Sequence, residues 1–171
     1  MLLRPSPADE GERYAKVRSQ FSELIYAAPV WVHTERGNWA RSMPTCDDVQ
    51  LLANIAYHAD LNVNVASTMT LDFAIHDTPV VNIAYNIANP PPFGIPLWNA
   101  FYEFEHYRPV VELGAARFAR SSAELAEHVN SYLADPALDA EARRRLVAMQ
   151  VASPLSDSTS RTISALESIL Q

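Results

Sequence analysis

Residues 61–85, LNVNVASTMTLDFAIHDTPVVNIAY, contain the sequence pattern that indicates the fold class most clearly. The apolar run Leu61–Val65 predicts a strand, and apolar residues three and four apart predict a helix over Met69–His76. A second apolar run, Pro79–Tyr85, follows after only a short turn. A strand, a helix and a strand in this order are typical of a parallel βαβ unit.

The same alternation extends in both directions from this unit. The predicted strands are 1–3, 29–33, 61–65, 79–85, 109–113 and 117–119. The predicted helices are 8–26, 47–59, 69–76, one opened by the capping-box pattern Ser121-Ser122-Ala123-Glu124, 139–151 and 157–170. Segments 34–45 and 86–108 are predicted to be loops. We therefore expect an α/β fold, with a doubly wound, mostly parallel sheet of about five or six strands and a helical C-terminus.

Composition limits the classes of protein. A chain of 171 residues, 49% apolar and 19% charged, predicts a single globular domain over residues 1–171. The net charge of −7 argues against a broad nucleic-acid interface. The single cysteine, Cys46, excludes an internal disulfide framework. The N-terminus does not resemble a signal peptide, and no apolar run approaches the roughly 18 residues of a membrane span. We expect a cytoplasmic protein without a transmembrane segment.

The glycines and histidines exclude several familiar sites. Gly11, Gly37, Gly94 and Gly114 are too far apart to form a dinucleotide fingerprint or a Walker A loop. A G-x-S-x-G elbow is missing, which argues against an α/β-hydrolase. The five histidines show no metal-ligand spacing. We therefore expect neither a metal site nor a bound cofactor.

The turn between the two central strands is the clearest candidate site. Ser67 and Thr68 stand where a strand passes into a helix, and the N–H groups at the start of a helix, here Met69 onward, attract phosphate without glycines. The hydroxyl of Thr70 adds a donor, and Asp72 is placed to accept from a ribose hydroxyl. Alternatively, Ser67 or Thr68 only caps the helix, and Asp72 only complements its dipole.

Two further segments carry candidate groups. Arg4 and Ser6 follow the first strand and suit an anionic ligand, although the two flanking prolines also explain a strand that simply ends there. His106 lies in the aromatic segment 90–107, which suits stacking on a base or sugar or packing within the chain. We interpret the run Arg143-Arg144-Arg145 as a solvated helix face.

The segment around residues 60–85 resembles the nucleotide-binding C-terminal half of bacterial GT-B transferases. The similar groups are the CDP-glycerol glycerophosphotransferase-like enzymes and the capsule or surface-polysaccharide glycosyltransferases. The matching features are Ser67-Thr68, for a Ser-Ser or Ser-Thr motif that contacts donor phosphates, and the following Pro79-Val80-Val81 strand. The segments Arg120–Leu125, Tyr132–Pro136 and Ser158–Leu170 also resemble this family.

The resemblance implies a Rossmann-like domain that binds a nucleotide-linked sugar or glycerol donor for surface-polysaccharide synthesis. It implies donor binding by Arg4, Ser67 and Thr68, with Asp72 or Ser122 on ribose or phosphate. Two departures stand out. Ser6 replaces the histidine of the family's Arg-Pro-His-Pro motif, and the chain has room for only one of the two GT-B domains.

These departures leave several readings open. We expect the C-terminal half of a longer protein, inactive in transfer without its N-terminal domain and cytoplasmic or peripheral to the inner membrane face. One alternative is a non-catalytic interaction module of the same fold, which would self-associate as a homo-oligomer through the aromatic segment. Another is one half of a nucleotide-sugar epimerase.

Overall fold

Strands and helices alternate along the chain, as the sequence predicts for an α/β fold. The structure, a computed structural model, describes residues 1–7, 11–33, 42–86, 98–151 and 155–170. The strands are β1 (Leu2–Leu3), β2 (Ile25–Tyr26), β3 (Trp31–His33), β4 (Ser42–Pro44), β5 (Asn62–Asn64), β6 (Val80–Ile83) and β7 (Arg117–Ala119). The helices are α1 (Ala15–Gln20), α2 (Cys46–His58), α3 (Met69–Ile75), α4 (Arg108–Leu113), α5 (Ser122–Ala134), α6 (Ala140–Gln150) and α7 (Ser158–Ile169). Short 3-10 turns lie at Glu12–Tyr14 and Leu155–Asp157, and a π-helical turn lies at Trp98–Tyr102.

The described strands form three separate sheets, so the prediction of one sheet of five or six strands is wrong for this part of the chain. Contacts divide the chain into two units, Met1–Ile55 and Ala56–Gln171. In the first unit, β1 pairs with β2 in parallel and β3 pairs with β4 antiparallel. The second unit holds a parallel sheet in the order β5-β6-β7. Apolar runs predict strands but not their partners, which explains the error.

Four predicted elements differ in type over all or part of their described length. Among its described residues 11–26, the helix predicted over Ala8–Tyr26 is only α1 and the preceding 3-10 turn, because Phe21 is extended (φ −125°) and β2 then pairs with β1. Part of the predicted loop 34–45 is β4. The strand predicted at Pro109–Leu113 is helix α4. The predicted loop 86–108 includes the π-helical turn, and its residues 87–97 lie outside the described part.

Both faces of the β5-β6-β7 sheet are covered in the second unit. On one face, Val81 and Ala119 pack against Tyr132 of α5, forming a fully buried cluster. Successive side chains of a strand point to opposite faces, so Asn82 lies on the other one. There it meets Tyr107, which also contacts Thr70 of α3. The sheet is therefore sandwiched locally, in the manner of doubly wound folds.

Arg143 fastens α6 within the second unit, contrary to the interpretation of Arg143-Arg144-Arg145 as a solvated face. Its side chain is 1% exposed and pairs with Asp77, Nε to Oδ1 at 2.8 Å. Its remaining nitrogens donate to the carbonyl oxygens of Leu138 and Pro136, at 2.6 and 2.9 Å. Arg144 and Arg145 are exposed, so the prediction of a solvated helix face is confirmed for these two residues.

Candidate functional site

The carboxyl ends of β5, β6 and β7 lie at one edge of the second unit's sheet, because the three strands are parallel. The Ser67-Thr68 turn follows β5, and Ser121-Ser122 follows β7. Ligands of open α/β sheets bind at this edge. The fold therefore brings three predicted site residues, Ser67, Thr68 and Ser122, to the same edge.

The N–H groups of the Ser67-Thr68 turn are mostly used within the chain. Ser67 N donates to Asn64 Oδ1 at 3.2 Å, and Met69 N donates to Ser67 Oγ at 3.2 Å. Thr70 N donates to the carbonyl oxygen of Ser67 at 2.9 Å. Within the described residues, Thr68 N–H has no acceptor and its hydroxyl has no partner. Thr68 is exposed, so the donors left for a ligand are concentrated there and on the Ser67 hydroxyl.

A buried chain of hydrogen bonds holds this turn on the sheet. Asn64 Nδ2 donates to Thr70 Oγ1 at 3.2 Å, and Tyr107 OH donates to Asn82 Oδ1 at 3.1 Å. Because the Tyr107 proton is used on Asn82, Thr70 is the donor in the 2.8 Å Thr70–Tyr107 contact. The Thr70 hydroxyl, predicted to contact phosphate, thus lies inside this chain and is 1% exposed.

Tyr102 completes the support from the aromatic segment. Its hydroxyl donates to the carbonyl oxygen of Ile83 at 2.7 Å and accepts from Ala66 N at 3.2 Å. Ala66 has a φ of +41°, a left-handed value that costs a non-glycine residue about 1–2 kcal/mol. Burial raises the pKa of Tyr102 well above its ordinary value, and proximity to Tyr107 raises it further. The hydroxyls of Tyr102 and Tyr107 therefore stay protonated at neutral pH and keep their hydrogen bonds.

Asn82 is the central polar residue beneath the turn. It is fully buried, and its Oδ1 also accepts from Ala66 N, at 3.3 Å. Its Nδ2 has no hydrogen-bond partner in the described part of the chain. Burial raises the pKa of Tyr107 to about 12, although the hydrogen bond that its oxygen accepts from Thr70 acts in the opposite direction.

Asp72 lies one turn into α3 and is half-buried. Burial raises the pKa of its carboxyl, and the nearby charge of His76 lowers it in part. Neither observation tests the predicted contact between Asp72 and a ribose hydroxyl, which stays a prediction.

Arg4 and Ser6 belong to the first unit. Arg4 Nη2 lies 2.8 Å from both carboxylate oxygens of Asp48, which also accept from Val30 N and Trp31 Nε1. Burial alone would raise the pKa of Asp48, but these hydrogen bonds outweigh it and hold the pKa below its ordinary value. Arg4 Nη1 is buried and has no partner among the described residues. Ser6 is exposed.

His106 is exposed, and its ring stacks on Phe104 with centroids 5.7 Å apart. Its predicted place in a donor loop stays a prediction. The described residues contain no group of three or more His, Cys, Asp or Glu side chains that could hold a metal ion. None of the helices in the described ranges is long and apolar enough to cross a membrane.

Sequence reasoning missed the residues that support the turn: Asn82, Tyr102 and Tyr107. A single asparagine inside the apolar run Pro79–Tyr85 was the available signal, because strands rarely bury an amide without a partner. Its hydrogen-bond partners lie 16 positions earlier, at Ala66, and 25 positions later, at Tyr107, beyond the reach of local patterns.

The candidate site is therefore the hydroxyl-bearing Ser67-Thr68 turn at the carboxyl edge of a parallel sheet. The buried side chains of Tyr102 and Tyr107 support this turn through hydrogen bonds. No protein-family model, curated protein or solved structure matches this chain.

Proposed function

We propose that the unit Ala56–Gln171 binds the diphosphate of a nucleotide-activated donor, as part of a GT-B-type glycosyl- or glycerophosphate transferase. One observation carries the proposal: the Ser67-Thr68 turn presents an unused N–H and two hydroxyls at the carboxyl edge of a parallel sheet. Such an edge, with donors close together, suits phosphate oxygens. The resemblance of residues 60–85 to the transferase family supports the same chemistry.

Ser67 and Thr68 carry the contact in this proposal, with different energetic roles. Thr68 offers an N–H and a hydroxyl that make no hydrogen bond to any other described residue. Ser67 Oγ already accepts from Met69 N, so its proton faces the ligand while its lone pair holds the turn. Binding the diphosphate would stabilise the charge that develops on the leaving group during transfer.

A thermal-shift panel with UDP, CDP, CMP, GDP and ADP tests the proposal. A ligand at 100 times its dissociation constant stabilises the folded state by about 2.7 kcal/mol, which raises the melting temperature by several degrees. We expect a shift with one pyrimidine diphosphate, strongly reduced in the Ser67→Ala, Thr68→Ala double variant. Thr159→Ala with Ser160→Ala is the matched control, because it removes the same two hydroxyls from exposed positions of α7. A double variant at 67 and 68 that binds as well as the wild type would refute the site.

A second candidate function rests on a different observation. Most N–H groups of the turn are satisfied internally, which is what a turn without a ligand needs. A non-catalytic interaction module of the same fold would show this. It predicts self-association in analytical ultracentrifugation and no thermal shift with any nucleotide of the panel.

A further inference from the structure

Arg120 is an exposed arginine at the carboxyl edge of the β5-β6-β7 sheet. It directly follows β7, and its Cζ lies 4.7 Å from the centroid of the Trp98 ring. Within the described ranges, no carboxylate or carbonyl oxygen contacts its guanidinium. Four other arginines of this unit lie beside carboxylates: Arg108, Arg117, Arg143 and Arg144.

Its aromatic contact distinguishes Arg120 from Arg145, which is likewise exposed and has no acceptor in the described residues. Residues 56–171 contain seven arginines and thirteen Asp and Glu residues, so acceptors for a guanidinium are abundant. Arg120 instead lies over the face of an indole ring. Such stacking restrains the side chain while leaving the N–H groups at the edge of the guanidinium free for a planar acceptor such as phosphate.

Contacts along the edge connect Arg120 with the Ser67-Thr68 turn. The Trp98 and Tyr102 rings lie 5.1 Å apart, and Tyr102 OH bonds to Ala66 N at 3.2 Å. The turn follows β5 and Arg120 follows β7, which are two strand spacings, about 10 Å, apart. A single nucleotide-sized ligand can span this separation.

The neighbouring pocket is a less suitable place for an anion. It has a volume of about 440 Å³ and lies between the π-helical turn and α4. Its lining among the described residues includes two acidic residues, Glu103 and Glu112, and one arginine, Arg108. Two negative groups against one positive group disfavour phosphate there and favour the Arg120 side of Trp98.

We propose that Arg120, restrained by Trp98, binds one phosphate of the same donor nucleotide and so makes the edge selective for diphosphates over monophosphates. The proposal rests on the proposed function of the Ser67-Thr68 turn. The turn holds one phosphate, and Arg120 holds the other through charge-assisted hydrogen bonds.

Isothermal titration calorimetry of the full chain with CDP, CMP, UDP and UMP tests this assignment. In Arg120→Gln we expect the affinity for the preferred diphosphate to fall roughly 10-fold or more, and that for the monophosphate to change little. Arg120→Lys keeps the charge but loses the planar fork, so its loss should be intermediate. Arg145→Gln removes another exposed arginine without an acceptor in the described residues and serves as the control.

The outcomes separate the two proposals. Wild-type binding of a diphosphate that Arg120→Gln retains unchanged would overturn the role of Arg120 and leave the turn as the site. An equal loss for diphosphate and monophosphate would also overturn the diphosphate selectivity. Failure of the wild type to bind any of the four nucleotides would overturn both proposals. Circular dichroism of each variant confirms that the exposed substitution leaves the fold intact.

Discussion

At the scale of the residue, Asn82 shows what the sequence could and could not predict. The amide stands in an apolar strand, and that position alone predicts a buried partner. The partner is Tyr107, whose hydroxyl joins Asn82 to Thr70. Local patterns predicted the Ser67-Thr68 turn correctly as a strand-to-helix junction. They placed the Thr70 hydroxyl at the surface because they carry no information on a tyrosine 37 positions away.

Tyr107→Phe tests this buried chain of hydrogen bonds. The substitution leaves Thr70 without its acceptor and removes one donor from Asn82. We expect the free energy of unfolding to fall by about 1–3 kcal/mol, the cost of an unsatisfied buried polar group. Chemical denaturation followed by circular dichroism measures it. Tyr85→Phe is the control, since the Tyr85 hydroxyl has no partner in the described part of the chain, and a comparable loss there would contradict the assignment.

At the scale of the element, residues typical of helix ends indicate the type of element better than apolar runs do. Segment 109–113 reads as a strand, but Pro109 suits the first turn of a helix, and Gly114, at φ +65°, suits the position after its end. That asymmetry predicts α4. The N-cap of the capping box at α5 is confirmed, because Ser121 Oγ accepts from Glu124 N, whereas the Glu124 side chain accepts from Arg120 N and not from the N–H of Ser121.

Helix α6 provides the prediction at this scale. Arg143→Met removes the N–H groups that donate to the carbonyl oxygens of Leu138 and Pro136. It also removes the guanidinium that pairs with Asp77. Asp77 is 44% exposed and remains solvated, so the expected loss of unfolding free energy is set by the carbonyls, about 1–3 kcal/mol. Arg145→Met, on the same helix but exposed, should change stability by less than about 0.5 kcal/mol. Urea denaturation of the pair measures the difference, and equal effects would show that Arg143 does not fasten α6.

At the scale of the whole molecule, the α/β class was predictable and the sheet was not. In the described part of the chain, seven strands form from runs of two to four residues, and such short runs do not specify which neighbour they pair with. Ile25–Tyr26 was assigned to a helix because its apolar spacing continues that of α1. Pairing with β1, a contact with a distant part of the chain, decides its conformation. The prediction of one nucleotide-sugar-binding domain over residues 1–171 stays a prediction.

Acid stability of the unit Met1–Ile55 follows from Asp48. Its folded pKa lies below its ordinary value, so its stabilising contribution is present above the unfolded pKa of about 3.9. That contribution is lost as the pH falls through the folded pKa. Asp48→Asn should be less stable at neutral pH and show a flatter dependence on acid. Thermal unfolding from about pH 7 down to about pH 2 measures the pH dependence of stability for both proteins. Parallel curves of melting temperature against pH for the wild type and Asp48→Asn would contradict the role of Asp48.

The proposed function places a nucleoside diphosphate at the Ser67-Thr68 edge of the β5-β6-β7 sheet. Heteronuclear NMR of the full chain, titrated with CDP and then with UDP, tests it most directly. We expect saturable shifts of the Ser67, Thr68 and Arg120 amide resonances with one of the two nucleotides, while α7 amides stay unchanged. Shifts confined to other residues, or none at all in these three, would contradict it.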